Sequence, residues 1–468
     1  MILSTKRITM FTVSLALFMD VLDTNIINTA IPTMAHNFKV NPVDLKIALI
    51  SYLLSLAVFI PISGWTADKY GTKRIYISAL GLFTISSFWC GYAHTLMDLV
   101  IGRSFQGIGG AFMISLGRLI IARTFERHQL VEAMSTVIIV VSLAVMLGPF
   151  VGGIITEQLS WPWIFWVNIP AGILAIVLAV YGLKDTVPKK ARPFDLLGFI
   201  LFGGSLALLC FSLSQLSEAG ANQSLTLLII FAALFTFIMY FFIAKNHPHP
   251  VINTKLFRFR TFRISVLGNL FSRLGFGGVP FLLPLFQQIS LGFSAQLSGL
   301  LLVPIAFGII FSKLLAFRIL RRVGYKYYLI INTLFMGLIL ALFQIINNHT
   351  SVYTIASLTF IFGMFTAAQF TAMNSLAFAE LSQEDLSDST SITSTTQVLA
   401  QTFGVAVGAI LLRYYSSNLK QPAILTTPVF HQAFFAMSII TMISLFIFMQ
   451  LKVDDGQQML VEEASPRT

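Results

Sequence analysis

Charge is scarce in this chain. Lys, Arg, Asp and Glu make up 10% of its 468 residues, against roughly 25% in a soluble domain, and mean hydropathy reaches +0.83. That leaves too little polar surface to face water and excludes a soluble fold. Only two cysteines are present, Cys90 and Cys210, both inside apolar runs far apart, so a disulfide framework, a cysteine metal centre and redox chemistry are not expected. No nucleotide-binding loop and no nucleophile elbow is present. His247-Pro248-His249 has no further ligands near it and reads as a loop, not a metal site. Strand-like alternation is missing as well, which argues against a transmembrane barrel. Neither an enzyme nor a bound cofactor is expected.

Apolar length, by contrast, is plentiful. A helix needs about 20 apolar residues to cross hydrocarbon, and in lipid the backbone must satisfy itself as helix. Such runs fall near 9–31, 45–66, 75–95, 98–121, 131–156 and 162–182. Two more lie near 195–215 and 224–244, and a last six near 264–288, 296–317, 326–346, 352–377, 390–412 and 430–450. The expectation is an all-α polytopic membrane protein of fourteen transmembrane helices. It divides into a six-helix half over 1–183, a linker with two additional helices over 184–263, a second six-helix half over 264–452 and a tail over 453–468. Lys6 and Arg7 precede the first run as in a signal peptide, but that run holds two aspartates and lacks a small-residue cleavage site, so it reads as a retained span.

The net charge of +11 suggests nucleic acid at first sight. The basic residues, however, fall in short clusters between apolar runs, which is the pattern of a membrane orientation signal. Most of the 30 Lys and Arg lie on the side of both termini, and only Lys39, Lys46, Arg413 and Lys420 face the other way. Both termini are therefore expected in the cytoplasm of a bacterium, with the chain in its inner membrane. The expected partners are membrane lipids, protons and a small-molecule substrate, with no nucleic acid, and the functional unit is expected to be a monomer.

Asp20 and Asp23 are the only acids inside spans. An ionised side chain at bilayer depth costs at least ~2.5–3.5 kcal/mol on insertion scales, which makes it a functional candidate by default. At 1.5 Å per residue they lie ~16 and ~21 Å along the first helix, near mid-membrane. Arg103, in the fourth span, is within plausible reach of Asp23. Burial favours the neutral acid and the arginine favours the carboxylate, so the pair is suited to exchanging a proton as access alternates. The plainer reading is that the two charges neutralise each other and pin two helices. Arg273 and Arg118 are candidates for substrate binding, while Lys313 can snorkel to the surface. Asn28, Gln106, Gln287, Gln369, Gln397 and Gln401 are candidate cavity-lining amides. With both aspartates ionised the intramembrane charge is still positive, which suits an anion or zwitterion better than a dication. Direct competition with protons at the aspartates, on the other hand, suits a cation. The substrate's charge stays open at this point.

Four segments carry a resemblance. The loop after the second span reads Gly64-Trp65-Thr66-Ala67-Asp68-Lys69-Tyr70-Gly71-Thr72-Lys73-Arg74, and it recurs in weakened form with Gly324 and Lys326, Arg321 replacing Asp68. The others are Leu22 to Pro32, Ile101-Gly102-Arg103 to Gly110, and Gly148-Pro149-Phe150-Val151-Gly152-Gly153. Together they resemble the fourteen-helix drug:proton antiporter branch of the major facilitator superfamily. The pattern through Gly117-Arg118-Leu119 and Arg273 is similar to its MdtD-like permeases. The resemblance implies two six-helix halves rocking about a midplane site, with the two added helices peripheral. It implies proton-coupled export of small amphipathic molecules, Asp23, Asp20 and Arg103 handling the proton. Gly64, Asp68, Gly71, Lys73, Arg74, Gly148, Pro149, Gly152 and Gly153 are then expected to serve gating. An importer or exporter of an organic anion or metal-chelating metabolite is the alternative.

Overall fold

The computed structural model describes residues 5–184, 193–216, 218, 222–248, 250–382, 385–417 and 425–459. Most of the polar linker from Lys184 to Pro193, with His249, Lys420 and the end of the tail, lies outside the described residues. Within them the chain is helical, with no strand. The first six helices are α1 (Thr5–Phe38), α2 (Pro42–Tyr70), α3 (Thr72–Gly91), α4 (Leu96–Thr124), α5 (Arg127–Gln158) and α6 (Trp163–Gly182). Two follow as a hairpin, α7 (Leu196–Gln215) and α8 (Gln223–Asn246). The second set comprises α9 (Arg260–Ser290), α10 (295–323), α11 (325–342), α12 (Val352–Ala377), α13 (Leu386–Ser417) and α14 (Thr427–Phe448).

Among the described residues, twelve segments are helices long and apolar enough to cross a membrane. One of these, Ala295–Ile345, is two helices end to end, broken at Gly324; α3, of 20 residues, is a further helix of spanning length. Each expected span thus has a helix. Local chemistry sets several of the boundaries. Thr95 and Asp98 form a reciprocal capping box that starts α4, and the Asp195 carboxylate accepts from Gly198 N at 2.8 Å to start α7.

The repeat detected in sequence is also a repeat of backbone conformation. Gly71 ends α2 at φ 93° and Gly324 separates α10 from α11 at φ 77°. Both lie in the left-handed region that a side chain disfavours. The two halves meet where α5 packs on α10 and α2 on α13. Helix α7 lies against α2 and α13, whereas α8 packs chiefly on α7. The added hairpin is therefore joined to the interface of the halves through one of its two helices.

The two ends of the bundle differ. At the end carrying the N-terminus, a cavity of about 1050 Å³ opens between the ends of α2, α4, α5 and α13 and the segment leading into α7. At the opposite end the halves are in close contact. A Cβ on Gly153 would run into the backbone of Ala295, and one on Gly299 into the Pro149 carbonyl. Gln288 Nε2 also donates across the halves to the Thr29 carbonyl, at 3.0 Å.

Candidate functional site

Asp23 is fully buried, and so is Arg103. The arginine's Nη1 pairs with Asp23 Oδ2. The same nitrogen donates to Gln106 Oε1 at 2.6 Å, and Gln106 Nε2 donates in turn to Asp23 Oδ1 at 2.9 Å and to Ser87 Oγ at 2.8 Å. Asn168 Nδ2 donates to Asp23 Oδ1 at 2.9 Å. Helices α1, α4 and α6 thus converge on one carboxylate, and α3 joins them through Gln106. Arg103 and Gln106 are one turn apart on α4, so they share a face and grip the same acid. A buried ion pair is tolerable only when its remaining lone pairs and protons are hydrogen-bonded, and this one is supplied on the acid's side. Arg103 keeps two spare donors, Nε and Nη2, without hydrogen-bond partners. Its guanidinium lies 4.0 Å from the Tyr52 ring centroid and 5.8 Å from that of Phe165, a cation–π arrangement that partly offsets the lost hydration.

Tyr52 joins the second aspartate to this cluster. Its hydroxyl donates to Asp20 Oδ1 at 2.5 Å, while its ring carries Arg103. Gly110 of α4 makes room for the contact, since a Cβ there would lie 2.5 Å from Asp20 Oδ1 and 3.0 Å from the Tyr52 hydroxyl. Asp20, Tyr52, Arg103 and Asp23 form a continuous buried chain across α1, α2 and α4. Tyr52 and Arg103 also line a small central cavity with Thr24, Asn28, Gln401 and Phe281, where the two halves face each other.

The three residues expected to handle the proton are therefore together. Those expected at the substrate site are dispersed. Asn28 and Gln401 reach the central cavity. Gln106 instead belongs to the Asp23 cluster. Gln287 accepts from Ser298 Oγ at 2.7 Å, Gln369 bonds Asn332 and Thr333, and Gln397 donates to Asn374 at 2.5 Å. Arg118 lines the large open cavity. Arg273 lies against Phe370 and Phe276, 5.1 and 5.9 Å from their centroids.

Of the gating candidates, Asp68 pairs with Arg123 at 3.3 Å, and Arg123 also donates to Thr72 at 2.9 Å, tying α2 and α3 to the end of α4. Lys73 Nζ donates to the Val180 carbonyl near the end of α6 at 2.7 Å, and Arg74 is exposed. Gly64 and Asp68 line the open cavity. Gly148 and Gly152 pack against α1, while Pro149 and Gly153 pack against α10. Tyr52 and Ser87 were not singled out in the sequence, and Asn168, in a segment that fits the family, was given no role. The signal available for them was a lone polar side chain within an apolar run, which many unremarkable positions share.

Residues 13–249 and 265–465 match the Major Facilitator Superfamily. The chain is 32% identical over 450 residues to a protein of Escherichia coli O81 (strain ED1a) named as a multidrug resistance protein, MdtD, covering 96% of this chain and 95% of that one. It is 33% identical, at the same coverage, to the protein of that name in Shigella flexneri serotype 5b (strain 8401). Among solved structures it resembles the nucleoside transporter NupG (TM-score 0.66, 15% identity, 94% of this chain and 99% of that one). It also resembles an inward-facing bacterial homologue of the human lysosomal transporter Spinster (TM-score 0.67, 14% identity, 99% and 100%). At such identities these likenesses concern the fold alone.

Proposed function

We propose that this chain, which belongs to the Major Facilitator Superfamily, is a proton-driven exporter of small amphipathic organic molecules in a bacterial inner membrane. It is a multi-pass membrane transporter; its proton coupling and direction are our reading. The observation that carries the reading is the Asp23–Arg103 pair, fully buried and joined through Tyr52 both to Asp20 and to the central cavity. A proton arriving at Asp23 neutralises one side of the pair and loosens Arg103, and the Tyr52 ring under it borders the space a substrate occupies.

The cavity open at the N-terminal end and the close contact of α5 with α10 at the other fit one state of an alternating-access cycle. The excess of Lys and Arg at the N-terminal end supports a cytoplasmic position for that end, and on this reading the cavity takes up substrate from inside. No cofactor is required, because the proton gradient and about 2.3 kcal/mol per charge per 100 mV supply the work. The relatives' name supports export of drug-like molecules.

The test uses proteoliposomes with an imposed pH gradient. Asp23→Asn leaves Arg103 buried without its counter-charge and so lowers the melting midpoint; it is expected to abolish uphill transport of whichever probe the protein carries, ethidium or 1-naphthoate, while downhill exchange remains. Uphill transport that survives in this variant would overturn the proton reading.

A further inference from the structure

The charges that line the transport route are not evenly matched. The large cavity is lined by Asp68, Asp195, Asp388, Arg118 and Arg123. Every acid among them is already engaged by the protein. Asp68 is held by Arg123, Asp195 by Gly198 N and by Val251 N at 3.4 Å, and Asp388 by Asn253 Nδ2 at 2.8 Å. Arg123 is engaged too, by Asp68 and Thr72. Arg118 is left over, exposed to the cavity and without an ion pair or hydrogen bond to any described residue.

The same imbalance recurs deeper in the bundle. Asp20 is taken by Tyr52 and Asp23 by Arg103, Gln106 and Asn168. Arg273 is half-buried, its Nε is enclosed with no hydrogen-bond partner among the described residues, and its guanidinium lies against the rings of Phe370 and Phe276. It stands one turn before Gly277, which borders the central cavity. Desolvating a guanidinium without a counter-charge is costly. At both depths the charged group without an ion pair or hydrogen bond to any described residue is an arginine, whereas each acid has at least one donor, in the case of Asp20 the neutral Tyr52 hydroxyl.

We propose that the transported molecule carries an anionic group, most simply a carboxylate, received by Arg118 in the cavity and by Arg273 at mid-depth. This rests on the exporter reading and names its substrate class. A planar guanidinium matches a carboxylate through two parallel hydrogen bonds, and the phenylalanines beside Arg273 give the apolar body of an amphipathic acid a surface. The electrical balance suits export. An anion leaving and a proton arriving both carry positive charge inward, so an inside-negative potential drives both halves of the exchange.

The experiment measures binding to the purified full-length protein by thermal shift and equilibrium dialysis. Its probes are the acids 1-naphthoate and cholate and the cations ethidium and tetraphenylphosphonium. Acids are expected to bind, and Arg118→Gln and Arg273→Gln each to weaken them about tenfold to a hundredfold, the range for one charged hydrogen bond. Arg273→Lys is expected to recover part of that loss, which a packing defect would not do. Binding of the cations in place of the acids, binding of neither class, or acid binding indifferent to both arginines would overturn the proposal. The two readings fail separately, since acid binding is read on the arginine variants without a pH gradient and uphill transport on Asp23→Asn.

Discussion

The two halves hold equivalent positions and put opposite charges in them. Counted back from Gly71 and Gly324, the loop glycines that share a left-handed backbone, Asp20 of α1 and Arg273 of α9 occupy the same place. Around Asp20 the first half has built a closed network in which both acids have donors. Around Arg273 the second half offers aromatic rings, and the amide contacts between its α11, α12 and α13 are neutral. Asn332 donates to Gln369 at 2.6 Å, Gln369 to Thr333 at 3.0 Å, and Gln397 to Asn374. Amide pairs hold helices together without changing charge as pH changes. On the proposed reading the halves divide the labour, the first responding to protons and the second presenting a fixed positive charge.

The comparison breaks most readily at Arg103. Arg103→Gln leaves Asp23 buried without its counter-charge, at a cost of about 3–5 kcal/mol, so the melting midpoint should fall steeply and uphill export should be lost. Adding Asp23→Asn should restore most of the midpoint but not the export. Arg273→Gln, which removes a charge with no ion pair or hydrogen bond among the described residues, should leave the midpoint where it was or raise it. Equal losses at the two arginines would mean that the halves are not differently built.

The contact between the halves is the next place to press. Gly153 has no room for a side chain against the Ala295 backbone, so Gly153→Leu should prop α5 away from α10 at about 1–3 kcal/mol, the usual cost of overpacking. Labelling of a cysteine introduced at Asn28 by a membrane-impermeant reagent added outside should rise, with export falling in parallel. Labelling unchanged from the Gly153 parent would show that this contact does not close the route.

The smallest effect is expected at Tyr52. Tyr52→Phe keeps the ring beneath Arg103 and removes only the hydroxyl bonded to Asp20, a loss of about 1 kcal/mol in stability. Uphill export should fall several-fold more than downhill exchange, measured side by side in the same vesicles. A parallel fall in both would make Tyr52 a packing residue.

Much of this was readable before any coordinates. The spans follow from apolar run length, because lipid leaves the backbone no alternative to helix. Asp23 and Arg103 were found because a charge is conspicuous where every neighbour is apolar. Tyr52, Ser87 and Asn168 escaped because a tyrosine, serine or asparagine in an apolar run costs far less than a charge, so its presence alone says little. Gln106 was expected to face substrate and turns to Asp23 instead, since which face of α4 meets α1 depends on the crossing of two helices. The dispersal of Gln287, Gln369 and Gln397 into separate contacts has the same cause.

Composition and pattern were enough to establish a helical membrane protein in two related halves, with a short inventory of charges inside it. Those properties depend on solvation, which acts on each segment in turn. Pairing was decided by the packed structure. That Asp20 and Asp23 find hydrogen-bond donors while Arg118 and Arg273 find no acceptor among the described residues depends on distances between helices remote in sequence, and hydrogen bonds are made or lost over less than an ångström.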